Sequence, residues 1–303
     1  MTTHTRTETF SQQRQRMSTG QGFIAALDQS GGSTPKALRE YGVPESEYSS
    51  EAEMFDRVHA MRTRLLSNPV FNADRILGAI LFEQTMERSV DTLQTPTYLW
   101  EQKSIVPFLK VDRGMIDEQY GAQLMKEIHD LDEKLDKARA AGVFGTKMRS
   151  VIRRADADGI GGIVEQQFRF GRRICAAGLV PIIEPEVDIH APDKAECEEL
   201  LRKQLLSYLD DLSEDEEVML KLTLPTEPDF YVPCQEHPRV LRVVALSGGY
   251  ERDEANALLQ QNHGLIASFS RALLEGLTAQ QSEEQFTQTL DRSIESIYQA
   301  SLT

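Results

Sequence analysis

The chain has 303 residues, with 33 Lys and Arg against 48 Asp and Glu, a formal net charge of −15. Acidity of this size argues against nucleic acid or an anionic membrane as a partner of the general surface, and no apolar run approaches the roughly 20 residues that span a bilayer. Three cysteines, Cys175, Cys197 and Cys234, are widely spaced and odd in number, which argues against a disulfide framework or zinc ribbon and points to the cytoplasm.

Residues 1–19 are rich in Thr, Gln and Arg, lack a hydrophobic secretory core, and read as a helical or flexible N-terminal arm. The remainder, 20–303, reads as one domain ending in a C-terminal helix. Eight short apolar runs follow at 22–27, 76–82, 105–111, 143–148, 179–183, 218–224, 240–246 and 265–269, several of them β-branched as buried parallel strands are. Helical periodicity fills the spaces between them. Ile160, Ile163, Val164, Phe168 and Cys175 share one face, and so do Cys197, Leu200, Leu201, Leu205, Tyr208 and Leu209, with Glu198, Glu199 and Lys203 expected opposite. Eight strands alternating with helices predict an α/β protein, a single-domain (β/α)8 TIM barrel. A doubly wound open sheet is the runner-up and would need a dinucleotide fingerprint. Gly20-Gln-Gly22-Phe-Ile-Ala25 has that spacing but runs into the first strand instead of following it.

In such a barrel the chemistry sits at the C-terminal ends of the strands. Those ends carry Asp28, Lys110, Lys147 with Arg149, Glu184 with Glu186, Lys221, Ser247-Gly248-Gly249 and Ser270-Arg271. Five cations and three carboxylates would meet around one mouth, a local charge of +2 that suits an anionic metabolite. The acidity would lie outside, on helices around residues 196–199 and 213–217. Lys221 interrupts an otherwise apolar strand; it reads either as a buried nucleophilic amine or as half of an interior ion pair. Glu184 and Glu186 read as proton shuttles or as counter-ions of the lysines, and Asp28 as an acid–base group or a turn residue. Ser247-Gly248-Gly249 and Ser30-Gly31-Gly32-Ser33 are glycine turns able to cradle phosphate, though neither ends in the Gly-Lys-Ser/Thr of a P-loop. Six scattered histidines form no metal-ligand spacing, so no metal is expected, and a G-x-S-x-G elbow is missing.

Taken in order, these segments closely resemble class I fructose-1,6-bisphosphate aldolase in its shorter bacterial form. The match is carried by Gly22-Phe-Ile-Ala-Ala-Leu-Asp28-Gln-Ser30, Gly78 with 79–85, Phe108-Leu-Lys110-Val-Asp112-Arg-Gly114 and Phe144-Gly-Thr-Lys147-Met-Arg149. It continues through Val180-Pro-Ile-Ile-Glu184-Pro-Glu186, Leu220-Lys221, Leu246-Ser247-Gly248-Gly249 and Phe269-Ser270-Arg271. The resemblance implies a lyase of glycolysis and gluconeogenesis that works through a lysine imine, without cofactor or metal, on a phosphorylated sugar; a homo-oligomer is compatible with it. It further implies Lys221 as the imine-forming residue, Glu184 as proton donor and acceptor, Asp28 at the hydroxyl of the cleaved carbon, Lys147 in support, and Glu186 orienting the lysines. Ser247, Gly248 and Arg271 would hold the phosphate nearest the ketone, and Lys110, Arg149, Ser30 and Ser33 the other. Two departures stand out. Longer members have Trp where this chain has Met148, and Ser-Tyr-Gly-Arg where it has Ser268-Phe269-Ser270-Arg271.

Overall fold

The computed structural model describes residues 6–30 and 33–303. Its centre is a sheet of eight parallel strands in chain order: β1 (Phe23–Leu27), β2 (Ile76–Leu81), β3 (Val106–Lys110), β4 (Gly145–Ile152), β5 (Val180–Val187), β6 (Val218–Thr223), β7 (Val240–Leu246) and β8 (Ile266–Ala267). The first and last strands meet at a seam, where the Ala26 N–H donates to the Phe269 carbonyl at 3.1 Å. Around the strands lie α1 (Arg6–Thr19), α2 (Ser33–Glu40), α3 (Glu51–Ser67), α4 (Thr95–Lys103), α5 (Leu131–Ala140), α6 (Ala157–Ala176), α7 (Lys194–Asp210), α8 (Arg252–Leu259) and α9 (Glu283–Ala300). This is the expected (β/α)8 barrel.

Two-residue alternation decides what fills it. Phe23, Ala25 and Leu27 belong to the apolar layer that includes the buried faces of the helices, whereas Ile24 and Ala26 belong to a separate inner cluster. That inner cluster holds Val106 and Phe108 of β3, Val180 and Ile182 of β5, Met219 of β6 and Ile266 of β8. Each of these inward series continues, two residues on, into a polar group: Asp28, Lys110, Glu184, Lys221 and Ser268. The lower barrel is therefore packed with hydrocarbon, and the ionic residues are carried on top of it.

The lower end is plugged by α1. Met17 is wholly buried in the inner cluster, Phe10 lies 4.9 Å from Phe144 between ring centroids, and Gln13 Nε2 donates to the Gly142 carbonyl at 3.3 Å. Strands β4 and β5 run past the apolar stretches 143–148 and 179–183, because their pairing continues beyond Arg149, Glu184 and Glu186, charged residues that end an apolar run but not a strand. Strand β8 is shorter than the run 265–269.

Two features of the expected acidic shell need correction. Residues 213–217 lie in the turn that leads into β6, not on a helix. Glu198 does not face solvent: it is buried, pairs with Lys194 at 2.5 Å and accepts from the Thr226 N–H at 3.0 Å. An i, i+4 lysine and a free backbone N–H just beyond β6 are what hold that carboxylate inside.

Candidate active site

Four side chains from four strands form one ion chain at the top of the barrel. Lys147 of β4 contacts Asp28 Oδ2 at 2.5 Å and Glu184 Oε2 at 2.9 Å, while Lys221 of β6 reaches the other oxygen, Glu184 Oε1, at 3.0 Å. Charge thus alternates along Asp28, Lys147, Glu184 and Lys221, each no more than 7% exposed. Parallel register sets the spacing: Lys110 lies opposite Lys147, and Arg149 opposite Glu184. Helix α6 fixes the Glu184 backbone from behind. Gln167, buried on its apolar face, accepts from the Glu184 N–H at 2.9 Å and donates to Ser150 Oγ at 3.1 Å.

Burial by itself would push both carboxyls up, since it penalises their charged form. The ammonium groups of Lys147 and Lys221 overcome it: Asp28 is held well below the usual carboxylate range, and Glu184 is lowered too, although Asp28 opposes it. For Lys147, burial favours the neutral amine, but Asp28, Glu184 and Asp112 win and raise its pKa. Lys147 is therefore held in its charged form between two carboxylates. Lys221, at the end of the chain with one carboxylate oxygen 3.0 Å away, is placed to hand a proton to Glu184.

A second ionic layer sits beside the first. The family resemblance implies Glu186 as the residue that orients the lysines. Instead, Glu186 makes a bidentate pair with Arg149, at 2.6 Å to Nε and 2.9 Å to Nη2. Planar guanidinium matches both carboxylate oxygens, an arrangement an ammonium lacks. Burial would lower the Arg149 pKa, but Glu186 raises it. Lys110 is likewise engaged, at 2.6 Å to Asp112 Oδ1 and 2.9 Å to the Asp112 carbonyl. Asp112 is buried and also accepts from the N–H groups of Gly114 and Arg149, at 3.1 and 3.2 Å. Its sequence signal is its place two residues after Lys110 in Phe108-Leu-Lys110-Val-Asp112-Arg-Gly114, a site residue that strand ends alone do not reveal.

Across the mouth, Ser247 is buried and Gly248 and Gly249 have φ of +63° and +125°. A Cβ on Gly249 would lie 3.5 Å from Arg271 Nη2, so the glycine turn presents its backbone directly beside that guanidinium. Ser30 is half-buried at the same mouth. Ser33 opens α2; its side chain, with Gly31 and Gly32, lies outside the described residues.

The ion chain, the Arg149–Glu186 and Lys110–Asp112 pairs, Ser30, the glycine turn and Arg271 line one cleft of about 1270 Å³, bordered by ten Lys and Arg and eight Asp and Glu, a balance of +2. Lys36, Arg62, Arg113, Lys126 and Lys134 are cationic members that reading strand ends missed, because they come from helices and loops. Arg62 is the most deeply placed. It is 2% exposed on α3, and burial pushes it down to about 10, so it remains charged at neutral pH. Its sequence signal is a cation on the helix face otherwise carrying Val58, Leu65 and Leu66. Among the described residues no group of three or more His, Cys, Asp and Glu is arranged to hold a metal ion, and no helix is long and apolar enough to cross a membrane.

Comparison with known proteins agrees with this architecture. The chain is 58% identical over 292 residues to fructose-bisphosphate aldolase class 1 of Synechocystis, covering 96% of this chain and 97% of that one. It is 55% identical to the class 1 enzyme of Porphyromonas gingivalis, with 96% and 99% covered. A crystal structure of fructose-bisphosphate aldolase from Plasmodium falciparum superposes with a TM-score of 0.74 at 20% identity, over 98% of this chain and 94% of that one, a likeness of fold. Residues 9–241 match the family model described as fructose-bisphosphate aldolase class-I, and the chain belongs to that family.

Proposed function

We propose that the ion chain catalyses metal-independent, reversible cleavage of fructose 1,6-bisphosphate to dihydroxyacetone phosphate and glyceraldehyde 3-phosphate through an imine on Lys221. The observation that carries this reading is one buried carboxylate, Glu184, shared between two buried lysines through different oxygens. Glu184 takes a proton from the Lys221 ammonium, and the freed amine attacks the ketone carbon. The carboxylic acid then returns the proton to the carbinolamine hydroxyl, which leaves as water to give the protonated imine. Asp28, kept ionised by Lys147, removes the hydroxyl proton at the carbon to be cleaved. The carbon–carbon bond electrons flow into the imine and leave an enamine. Because the imine is the electron sink, the reading requires neither metal nor cofactor.

Arg271 and the Ser247–Gly249 backbone supply cationic and N–H donors for the phosphate on the ketone side. Lys110, Arg149, Ser30 and Ser33 serve the second phosphate, and Glu186 holds Arg149 in position for it. The cationic balance of the cleft supports an anionic substrate, and the unpaired cysteines support a reducing cytoplasm. Borohydride reduction in the presence of dihydroxyacetone phosphate, followed by peptide mass mapping, tests the reading. A single adduct at Lys221, and activity unaffected by EDTA, are expected. An adduct elsewhere, or none, refutes the imine on Lys221; loss of activity to EDTA that zinc restores refutes metal independence.

A further inference from the structure

We propose that Ser270 is a hydroxyl donor to the phosphate on the ketone side, held in that role by Gln29 and Arg62. The seam between β1 and β8 brings the three together. Just above the bond from Ala26 to Phe269, Gln29 Nε2 donates to Ser270 Oγ at 2.6 Å. Arg62 donates through Nη2 to the Gln29 carbonyl at 2.8 Å and to Gln29 Oε1 at 3.4 Å, and through Nη1 to Thr85 Oγ1 at 2.5 Å.

Donor and acceptor chemistry gives this chain a direction. A guanidinium has only donors, so the Gln29 amide must turn its oxygen toward Arg62 and its NH2 toward Ser270. An NH2 group cannot accept, so Ser270 Oγ accepts, and its own hydrogen points elsewhere. Ser270 precedes the short helix Arg271–Leu274, but its hydroxyl caps none of that helix's N–H groups. Ser270 is half-buried and lines the cleft beside Arg271 and Gly249. The hydroxyl hydrogen is thus committed neither to Gln29 nor to the helix, on a side chain that lines the same cleft as the glycine turn and the Arg271 guanidinium. Ser270 itself has φ −112° and ψ −77°, so nothing in its backbone requires the glycine found in longer family members. The hydroxyl gives the loop a directed donor in place of a bare backbone.

The inference rests on the proposed phosphate site, and the test separates the two. Binding of dihydroxyacetone phosphate is measured by calorimetry on wild type, Ser270→Ala and Gln29→Glu, with borohydride trapping in parallel using dihydroxyacetone phosphate and unphosphorylated dihydroxyacetone. Loss of one hydrogen bond to a charged group predicts that Ser270→Ala weakens binding of dihydroxyacetone phosphate about tenfold, without a matching loss for dihydroxyacetone. Gln29→Glu presents acceptors to Ser270, captures its hydrogen and weakens the phosphorylated ketone at least as much. Equal affinity of Ser270→Ala and wild type for dihydroxyacetone phosphate overturns the inference. So does a loss of the same size for both ketones, which would mark a purely structural clasp. A wild type that binds dihydroxyacetone phosphate yet is never trapped would instead overturn the imine mechanism, while the Ser270→Ala comparison still decides the inference.

Discussion

Replacing Lys147 by methionine removes the cation that separates two buried carboxylates while keeping most of the side-chain length. At an effective dielectric near 20, its contacts of 2.5 Å to Asp28 and 2.9 Å to Glu184 correspond to about 6 kcal/mol of gross Coulomb attraction each. Desolvation of the ions offsets much of this, and breaking a buried pair by removing one partner costs about 3–5 kcal/mol of stability. Activity suffers through protonation: with Lys221 alone to serve both carboxylates, one of them takes up a proton, and a catalytic base or acid is lost. A fall in kcat/KM of about 10²–10⁴ is expected, the usual worth of general acid–base catalysis.

The pH dependence identifies the cause. In the wild type, Asp28 and Glu184 titrate below their unfolded values, so their stabilisation is complete above about pH 5 and is lost as pH falls toward the folded values. In Lys147→Met, burial is no longer outweighed and the carboxyl pKa values rise. The variant's stability deficit is then largest near neutrality and shrinks toward pH 4.5, as protonation relieves the uncompensated charge, and the acid limb of its rate profile moves to higher pH. Urea unfolding at pH 4.5 and 7.5, with kcat/KM across the same range, measures both. A variant within threefold of wild-type kcat/KM, or one with the same stability deficit at both pH values, would refute the reasoning.

Two further substitutions separate binding from folding. Gly249→Ala forces a side chain onto φ +125° and sets its Cβ 3.3 Å from Ile189 Cδ1 and 3.5 Å from Arg271 Nη2, so KM for the bisphosphate should rise and stability should fall by about 1–3 kcal/mol; an unchanged KM would detach the turn from the phosphate. Glu198→Ala leaves Lys194 and the Thr226 N–H without their buried carboxylate, so urea unfolding should show a loss of about 3–5 kcal/mol with kcat/KM at wild-type level. A fall in kcat/KM in folded Glu198→Ala protein would mean that this α7 pair, bonded to the backbone just beyond β6, also positions Lys221.

Much of the site was legible because a strand's side-chain period is two and does not depend on its neighbours. Ile24-x-Ala26-x-Asp28, Val106-x-Phe108-x-Lys110 and Val180-x-Ile182-x-Glu184-x-Glu186 each state that an apolar inward face ends in charge. The same local rule put Lys147 with Arg149 and left Lys221 in an apolar run. Which charge would meet which is a different question, because it depends on the register between strands and on the reach of each side chain. Glu186 meets Arg149, 37 positions away, instead of the lysines it shares a mouth with. Arg62 reaches the site from a helix, and its bonds to Gln29 and, through Gln29, to Ser270 span up to 241 positions. The linear sequence by itself determined the barrel, its polar end and the ionisable groups gathered there, since periodicity and residue type are local properties. Only the tertiary structure decided the pairing of those groups and the direction of the Arg62–Gln29–Ser270 hydrogen bonds, because both arise where closure of the barrel brings distant residues within 3 Å or so of one another.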